Sequence, residues 1–412
     1  MNPEEPARPD PDLPGADDLN ESKSKRYFPD IRWVVVWIIL IGLLIFLNLA
    51  SEKIETFIPV LDQAFRNLLT SGTLLVISAT MVVWFAFFSD YGTRGTRLLT
   101  FWVLIGVQVL IAIFFVNWVE FNGDMAPIAV RWPGQQAKDY GLETPPAENS
   151  MVDLTTETPD DFPQFLGPQR DGRLPNTYFA YDWVKKEPKL LWKRPIGPGH
   201  SGFATRNGFA ITMEQRGDQE LTTCYDIETG DLKWSYAEKT RHHSWLGKLG
   251  PRSTPTIFDG FVYCLGANGH LACLEGSNGK LVWKKDLFQQ FGTSISEERN
   301  TVTWGRAASP LVFDDKVVVP AGGPGNGPYV SLVCYQRKTG EELWRAGETQ
   351  ISYASPMLMP YLDTRVGWAQ CIVSVNESNV TAHVPSNGEI LWKVDRPGNS
   401  NSNASTSQPV TL

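Results

Sequence analysis

The chain has 412 residues, 45 of them acidic and 37 basic, for a formal net charge of −8. That balance, with no basic stripe, argues against a nucleic-acid partner. Five cysteines, Cys224, Cys264, Cys273, Cys334 and Cys371, are odd in number and stand at no metal-ligand spacing. They argue against a complete disulfide framework and against a cysteine-built metal site.

Residues 1–32 are rich in Pro, Asp and Glu and poor in bulky apolar side chains, which predicts a disordered cytoplasmic tail. Three long, almost uncharged runs follow, at 33–50, 68–88 and 98–121. At 1.5 Å per residue each matches or nearly matches a hydrocarbon core of about 30 Å, so three transmembrane helices are expected within 33–121. Lys23, Lys25, Arg26 and Arg32 precede the first run, and Arg94 and Arg97 sit in the second loop, against Lys53 and Arg66 in the first and Arg131 after the third. The positive-inside rule then places the N-terminus in the cytoplasm and the rest of the chain, beyond three crossings, on the far side of an inner membrane. Trp33, Trp37, Trp102 and Trp118 lie near the span ends, as interfacial anchors do. Asn48, Asn117 and Glu120 are polar residues near ends; Gln108 is central and predicts a hydrogen bond between helices. Residues 122–160, with Pro127, Pro133, Pro145, Pro146 and Pro159 among acidic and polar groups, are expected to be a linker.

From 161 onward a phrase recurs: Thr229-Gly230 to Trp234, Asn278-Gly279 to Trp283, Thr339-Gly340 to Trp344 and Asn387-Gly388 to Trp392. The tryptophans are 49, 61 and 48 residues apart, a period that predicts blades of a β-propeller. The glycine supplies the positive φ of a tight turn, and the Trp four residues later is expected to wedge between neighbouring blades. A second phrase starts each unit, with Pro255, Pro310, Pro356 and Pro409 at the first residue of a strand. Alternating runs between the two phrases give four short antiparallel strands per unit. Cys224, Cys273 and Cys334 fall at nearly equivalent repeat positions and are expected to be small buried hydrophobes, while Cys264 and Cys273 stand where a hairpin could face them for a disulfide.

These phrases, together with Asp161-Phe162-Pro163-Gln164-Phe165-Leu166-Gly167-Pro168-Gln169-Arg170-Asp171-Gly172, resemble the repeats of PQQ-like propellers, the family of quinoprotein alcohol dehydrogenases and BamB-type scaffolds, and particularly membrane-anchored bacterial proteins of planctomycete type. The resemblance covers 161–412 and implies an all-β propeller there, behind the three transmembrane α-helices expected from the apolar runs. Family propellers close with eight blades of roughly 50 residues. Four complete blades fit here, with Lys189-Leu190-Leu191-Trp192 as an orphan outer strand and Pro409 starting another blade, so an incomplete ring from a truncated or split gene product is expected.

A PQQ dehydrogenase needs calcium, a carboxylate base and a slot for the quinone. The family's alcohol dehydrogenases add an adjacent cysteine pair, absent here, and there is no Cys-x-x-Cys-His haem attachment. Glu214-Gln215-Arg216, His242-His243, Arg252 and Arg306 are the side chains that could line a funnel, Arg252 and Arg306 recurring one blade apart as a repeated salt bridge would. None is assigned a catalytic, cofactor-binding or metal-binding role. The expected function is a non-enzymatic, BamB-like envelope scaffold for protein or peptide, with the bilayer as a partner and either self-association or a second chain completing the ring. The alternative is part of a membrane-bound PQQ-dependent dehydrogenase of alcohols or sugars, in which PQQ and calcium would be bound.

Overall fold

The computed structural model describes residues 28–49, 63–121, 127–130, 142, 151–174, 182–244, 247–364, 366–396 and 405–409. The chain forms two compact units, 1–133 and 134–412. Residues 1–27, on which most of the predicted tail falls, lie outside the described residues, as do most of the linker and 410–412.

The first unit contains α1 (Ile31–Leu49), α2 (Gln63–Phe88) and α3 (Arg94–Trp118), each long and apolar enough to cross a membrane. Polar side chains inside them find partners locally, because hydrocarbon offers none. Gln108 Nε2 donates to Ser78 Oγ at 2.9 Å, the interhelical bond expected of it, and Trp37 Nε1 donates to Thr80 Oγ1 at 3.2 Å. Asn48 and Asn117 turn back onto the carbonyls of Leu44 and Ile113. The third helix ends three residues before the predicted Phe121. There β1 (Val119–Phe121) pairs antiparallel with β2 (Pro127–Val130), and pairing takes over the backbone groups that a further helical turn would use.

The second unit holds four antiparallel four-stranded sheets. Blade one is β3 (Ala204–Arg206), β4 (Phe209–Arg216), β5 (Gln219–Asp226) and β6 (Leu232–Glu238). A small hairpin, β7 (His243–Ser244) and β8 (Lys248–Leu249), leads to blade two: β9 (Thr256–Phe258), β10 (Phe261–Leu265), β11 (His270–Glu275) and β12 (Leu281–Asp286). Two short helices, α4 (Leu287–Phe291) and α5 (Ile295–Thr301), precede blade three and fill the longer 61-residue gap between tryptophans. Asp286 caps the first through Gln289 N–H, and Gly292 ends it at φ 67°. Blade three is β13 (Leu311–Phe313), β14 (Lys316–Gly322), β15 (Val330–Gln336) and β16 (Glu342–Ala346); blade four is β17 (Met357–Asp363), β18 (Gly367–Val375), β19 (Asn379–His383) and β20 (Ile390–Asp395).

Central strands are buried on both faces because each sheet is covered by the next. Tyr263, Cys273 and Trp283 of blade two pack with Val317, Val319 and Tyr335 of blade three, while Cys224 and Trp234 of blade one pack with Ile257, Val262 and Cys264. Hence Val317, Val318 and Val319 are all fully buried, and the run reads as uniformly apolar rather than alternating.

The Gly and Trp of the repeat are one device. Trp192, Trp234, Trp283 and Trp344 each lay the indole where a Cβ on the next turn glycine, Gly230, Gly279, Gly340 or Gly388, would stand, with contacts of 2.5 to 2.8 Å. Each indole Nε1 then donates to the carbonyl three residues before that glycine, on Ile227, Gly276, Arg337 and Pro385. Glycine is required twice, for φ of 71° to 76° and for the ring that occupies its missing side chain. Trp192 does this although residues 189–197 form no strand, so the orphan segment keeps the docking residue and not the ladder. Directly across from Trp234, Trp283, Trp344 and Trp392 stand Cys224, Cys273, Cys334 and Ala382, each followed by a β-bulge. Small side chains there leave room for the indole.

Two further expectations are corrected. Residues 151–160 are not linker: Val152 and Leu154 are buried against Ile257 and Leu274, and Val152 N–H donates to Ser277 O at 2.9 Å. Their spacing of two puts both on one face of an extended segment. Cys264 and Cys273 do not face each other, since Cys264 pairs with Ala272 and Cys273 with Tyr263. They project into different cores, and all five cysteines are free and buried.

Candidate functional site

The side chains that could have carried chemistry are engaged in holding strands and loops. Glu214 is fully buried, accepts from Arg216 through both oxygens at 3.0 Å, from Tyr225 Oη at 2.7 Å and from Gly197 N–H at 2.6 Å. This carboxylate pins residues 194–198 to blade one, helped by Gln215 N–H donating to Pro198 O. Gln215 Nε2 bonds the carbonyls of Gly217 and Thr240. His242 Nδ1 lies 3.0 Å from Asn268 Oδ1 with its ring flat against Gly305, whereas His243 is exposed.

Arg306 meets Glu298 of α5 at 2.8 Å, donates to Pro320 O and lies over the Phe288 ring. Arg252 instead donates to the Trp304 carbonyl, so among the described residues the repeated salt bridge expected of the two is seen at Arg306 and not at Arg252. Burial pushes the thiols of Cys264, Cys273 and Cys334 up to about 12 and that of Cys224 higher still, which leaves no thiolate for nucleophilic work. Among the described residues, the buried carboxyl of Glu220 has no ion-pair partner. Glu220, between blades one and two, accepts Ala267 N–H at 3.3 Å, and burial pushes it up to about 7. Glu238 beside it is held below its ordinary value, against the cost of burial, by Tyr236 and Lys284.

Concavity lies elsewhere, at the first strands of the blades. Residues 161–170 run across β3 and β9: Phe162 exchanges both backbone bonds with Thr205, and Pro163 O accepts Ile257 N–H at 2.7 Å. Asp161 receives Thr158 N–H, Thr158 Oγ1 and Asn207 N–H and pairs with Arg206, which also reaches Glu157. Leu166 and Gly167, at φ 60° and 82°, turn the segment away, and Arg170 returns to donate to the Ser309 and Pro310 carbonyls. Its complete burial draws that guanidinium down to about 9. Alongside opens a cleft of about 410 Å³ whose lining includes Arg170, Ile257, Val312, Phe313, Leu358 and Gln370. The sequence signalled it only indirectly, through the 161–172 motif, to which no role could be given.

Residues 217–411 match the family model described as outer membrane protein assembly factor BamB. The BamB of Kangiella koreensis is 25% identical over 148 residues, covering 35% of this chain and 31% of the relative. The BamB of Moranella endobia is 30% identical over 111 residues, 26% of this chain and 27% of the relative. The chain thus spans about a third of the length of these curated relatives. Among solved structures, the quinohemoprotein alcohol dehydrogenase ADHIIG of Pseudomonas putida is 14% identical, with a TM-score of 0.39 over 59% of this chain and 43% of that one. BamB of Moraxella catarrhalis is 14% identical, with a TM-score of 0.22 over 52% of this chain and 80% of that one. The stretch that matches the BamB-type family model, residues 217–411, runs from within blade one to the end of blade four and carries the turn glycines on which the Trp-on-Gly device links the sheets.

Proposed function

We propose that this chain is a membrane-anchored scaffold whose propeller lies outside the cytoplasm, binds protein or peptide, and carries out no redox reaction. The observation that supports this most is the use of Glu214, Arg216, His242, Arg306 and the cysteines as packing and pinning groups, while the concave surface is built from strand edges. Strand edges recognise extended polypeptide through main-chain hydrogen bonds. Three helices fit for membrane crossing, with basic residues ahead of the first, support an inner-membrane anchor and an extracytoplasmic propeller.

The alternative, a PQQ-dependent dehydrogenase, needs calcium held by several converging oxygens and a base free to take a proton. The carboxylates of the cleft, Glu157 and Asp161, are both turned to Arg206, and Asp161 is further saturated by three donors. That donor set does not fit the cofactor. The test is a melting curve of the full-length chain in detergent with calcium and pyrroloquinoline quinone added together. We expect a shift below about 1 °C and no alcohol- or sugar-dependent reduction of an artificial electron acceptor. A calcium-dependent rise in Tm with substrate-driven dye reduction would overturn the scaffold reading.

A further inference from the structure

The four first strands present one equivalent backbone donor each, and only two of the four are taken. The residue two places after the repeat proline is Ile257, Val312 and Leu358 in blades two to four, and Thr205 matches them in register in blade one. Thr205 N–H donates to Phe162 O and Ile257 N–H to Pro163 O, so consecutive residues of this chain's own extended segment bridge the inner edges of two neighbouring blades.

Geometry points the other two donors the same way. In blade three the two-residue turn Asp314-Asp315 makes Phe313 and Lys316 the hydrogen-bonded pair. The next pair, Val312 and Val317, is therefore non-hydrogen-bonded, and Val312 directs its N–H away from β14. In blade four Pro360 pairs with Gln370 and has no N–H, so its nitrogen must face away from β18. Leu358, two residues earlier, shares that orientation. Neither N–H has a hydrogen-bond partner among the described residues, and Val312 and Leu358 both line the cleft. The chain's own segment leaves at Leu166-Gly167 before reaching them.

We propose that the inner edges of β13 and β17 bind an extended, uncharged peptide segment, whose backbone carbonyls take the Val312 and Leu358 N–H groups as Phe162 and Pro163 take those of Thr205 and Ile257. This rests on the scaffold reading and names its site. Because the bridging groups required are acceptors, proline is tolerated in the ligand, as Pro163 shows. Apolar side chains would meet Phe313 and Leu358 along the wall, and Gln370 offers a polar contact.

The probe is a synthetic hexapeptide copying residues 161–166, Asp-Phe-Pro-Gln-Phe-Leu, with a capped, neutral first residue (Asn for Asp). It is added at millimolar concentration to the full-length chain in detergent, and amide hydrogen exchange is read residue by residue. Without peptide, Val312 and Leu358 should exchange at least about tenfold faster than Thr205 and Ile257; with peptide they should slow by at least about tenfold. Leu358→Pro, which keeps the β17–β18 ladder for the reason Pro360 does, removes one of the two donors and should reduce the peptide's protection of the Val312 N–H by at least about tenfold; undiminished protection of Val312 would overturn the two-strand site. Equal, slow exchange of all four amides in the free chain overturns the proposal, and so does peptide that adds no protection at Val312 and Leu358. Protection elsewhere would overturn this site and leave a peptide-binding scaffold standing, whereas the calcium and quinone experiment decides the scaffold reading independently.

Discussion

Two glycines with the same backbone conformation separate strain from contact at the level of single residues. Gly279 and Gly208 have φ of 73° and 79°, but a Cβ at Gly279 would stand 2.5 Å from the Trp234 ring whereas nothing lies within 4 Å of one at Gly208. Gly208→Ala should cost only the left-handed penalty of about 1–2 kcal/mol. Gly279→Ala adds an overpacking term of about 1–3 kcal/mol and weakens the Trp234 bond to Gly276 O. Urea denaturation of the two variants measures the difference, and equal losses would show that the indole yields freely. Glu220 gives a pH signature. Its folded pKa of about 7 lies above the ordinary 4.5, so the carboxyl stays protonated in the folded state while the unfolded one ionises. Its contribution is fully present below about pH 4.5 and is lost as pH rises through 7, on the order of 3 kcal/mol. In Glu220→Gln the fall in denaturation midpoint between pH 4.5 and 7 should flatten; an unchanged slope would assign it to other groups.

At the scale of strands and blades, neighbouring sheets are joined near the axis by a relay through the residue before each repeat proline. Thr254 N–H donates to Ser309 Oγ at 2.9 Å, Ser309 N–H to Ser355 Oγ at 2.9 Å, and Ser355 N–H to Gln408 Oε1 at 3.2 Å. Each N–H is buried and has no ladder partner on that side, so removing its acceptor leaves the desolvation penalty uncovered. Ser309→Ala is therefore expected to destabilise by about 1–3 kcal/mol, more than a surface serine whose loss changes stability by about 0.5 kcal/mol or less. Thermal denaturation checks it, with Ser386→Ala, at an exposed serine, as the control. The outer edges are held differently, by Trp on Gly, so the inner relay and the outer indoles clamp the interfaces between blades two and three and between blades three and four at both ends.

For the whole molecule the testable property is topology. Three predominantly apolar spans of 18, 24 and 25 residues and a basic excess before the first predict a cytoplasmic N-terminus and an extracytoplasmic C-terminal unit. Alkaline phosphatase fused after Leu412 should be active, and green fluorescent protein at the same position dark. The reverse pattern would put the propeller in the cytoplasm and remove envelope proteins from its partners.

The sequence by itself determined the elements that repeat. Periodic Thr-Gly or Asn-Gly turns, Trp four residues on and proline at strand starts gave the blades, and uncharged runs gave the helices, because these signals are local and depend on backbone conformation or on mean polarity. It also made Cys224, Cys273 and Cys334 equivalent, which the structure explains by the indole beside each. Only the tertiary structure decided what lies between repeats. Val152 and Leu154 looked like part of a polar tether until a blade supplied the surface that buries them. Cys264 and Cys273 looked bridgeable until the register sent them to opposite faces of the sheet. The candidate site was legible only as an unexplained motif at 161–172, since its binding groups are backbone N–H donors. Every residue but proline carries that group, so its availability is written in which edges are covered and which are left open.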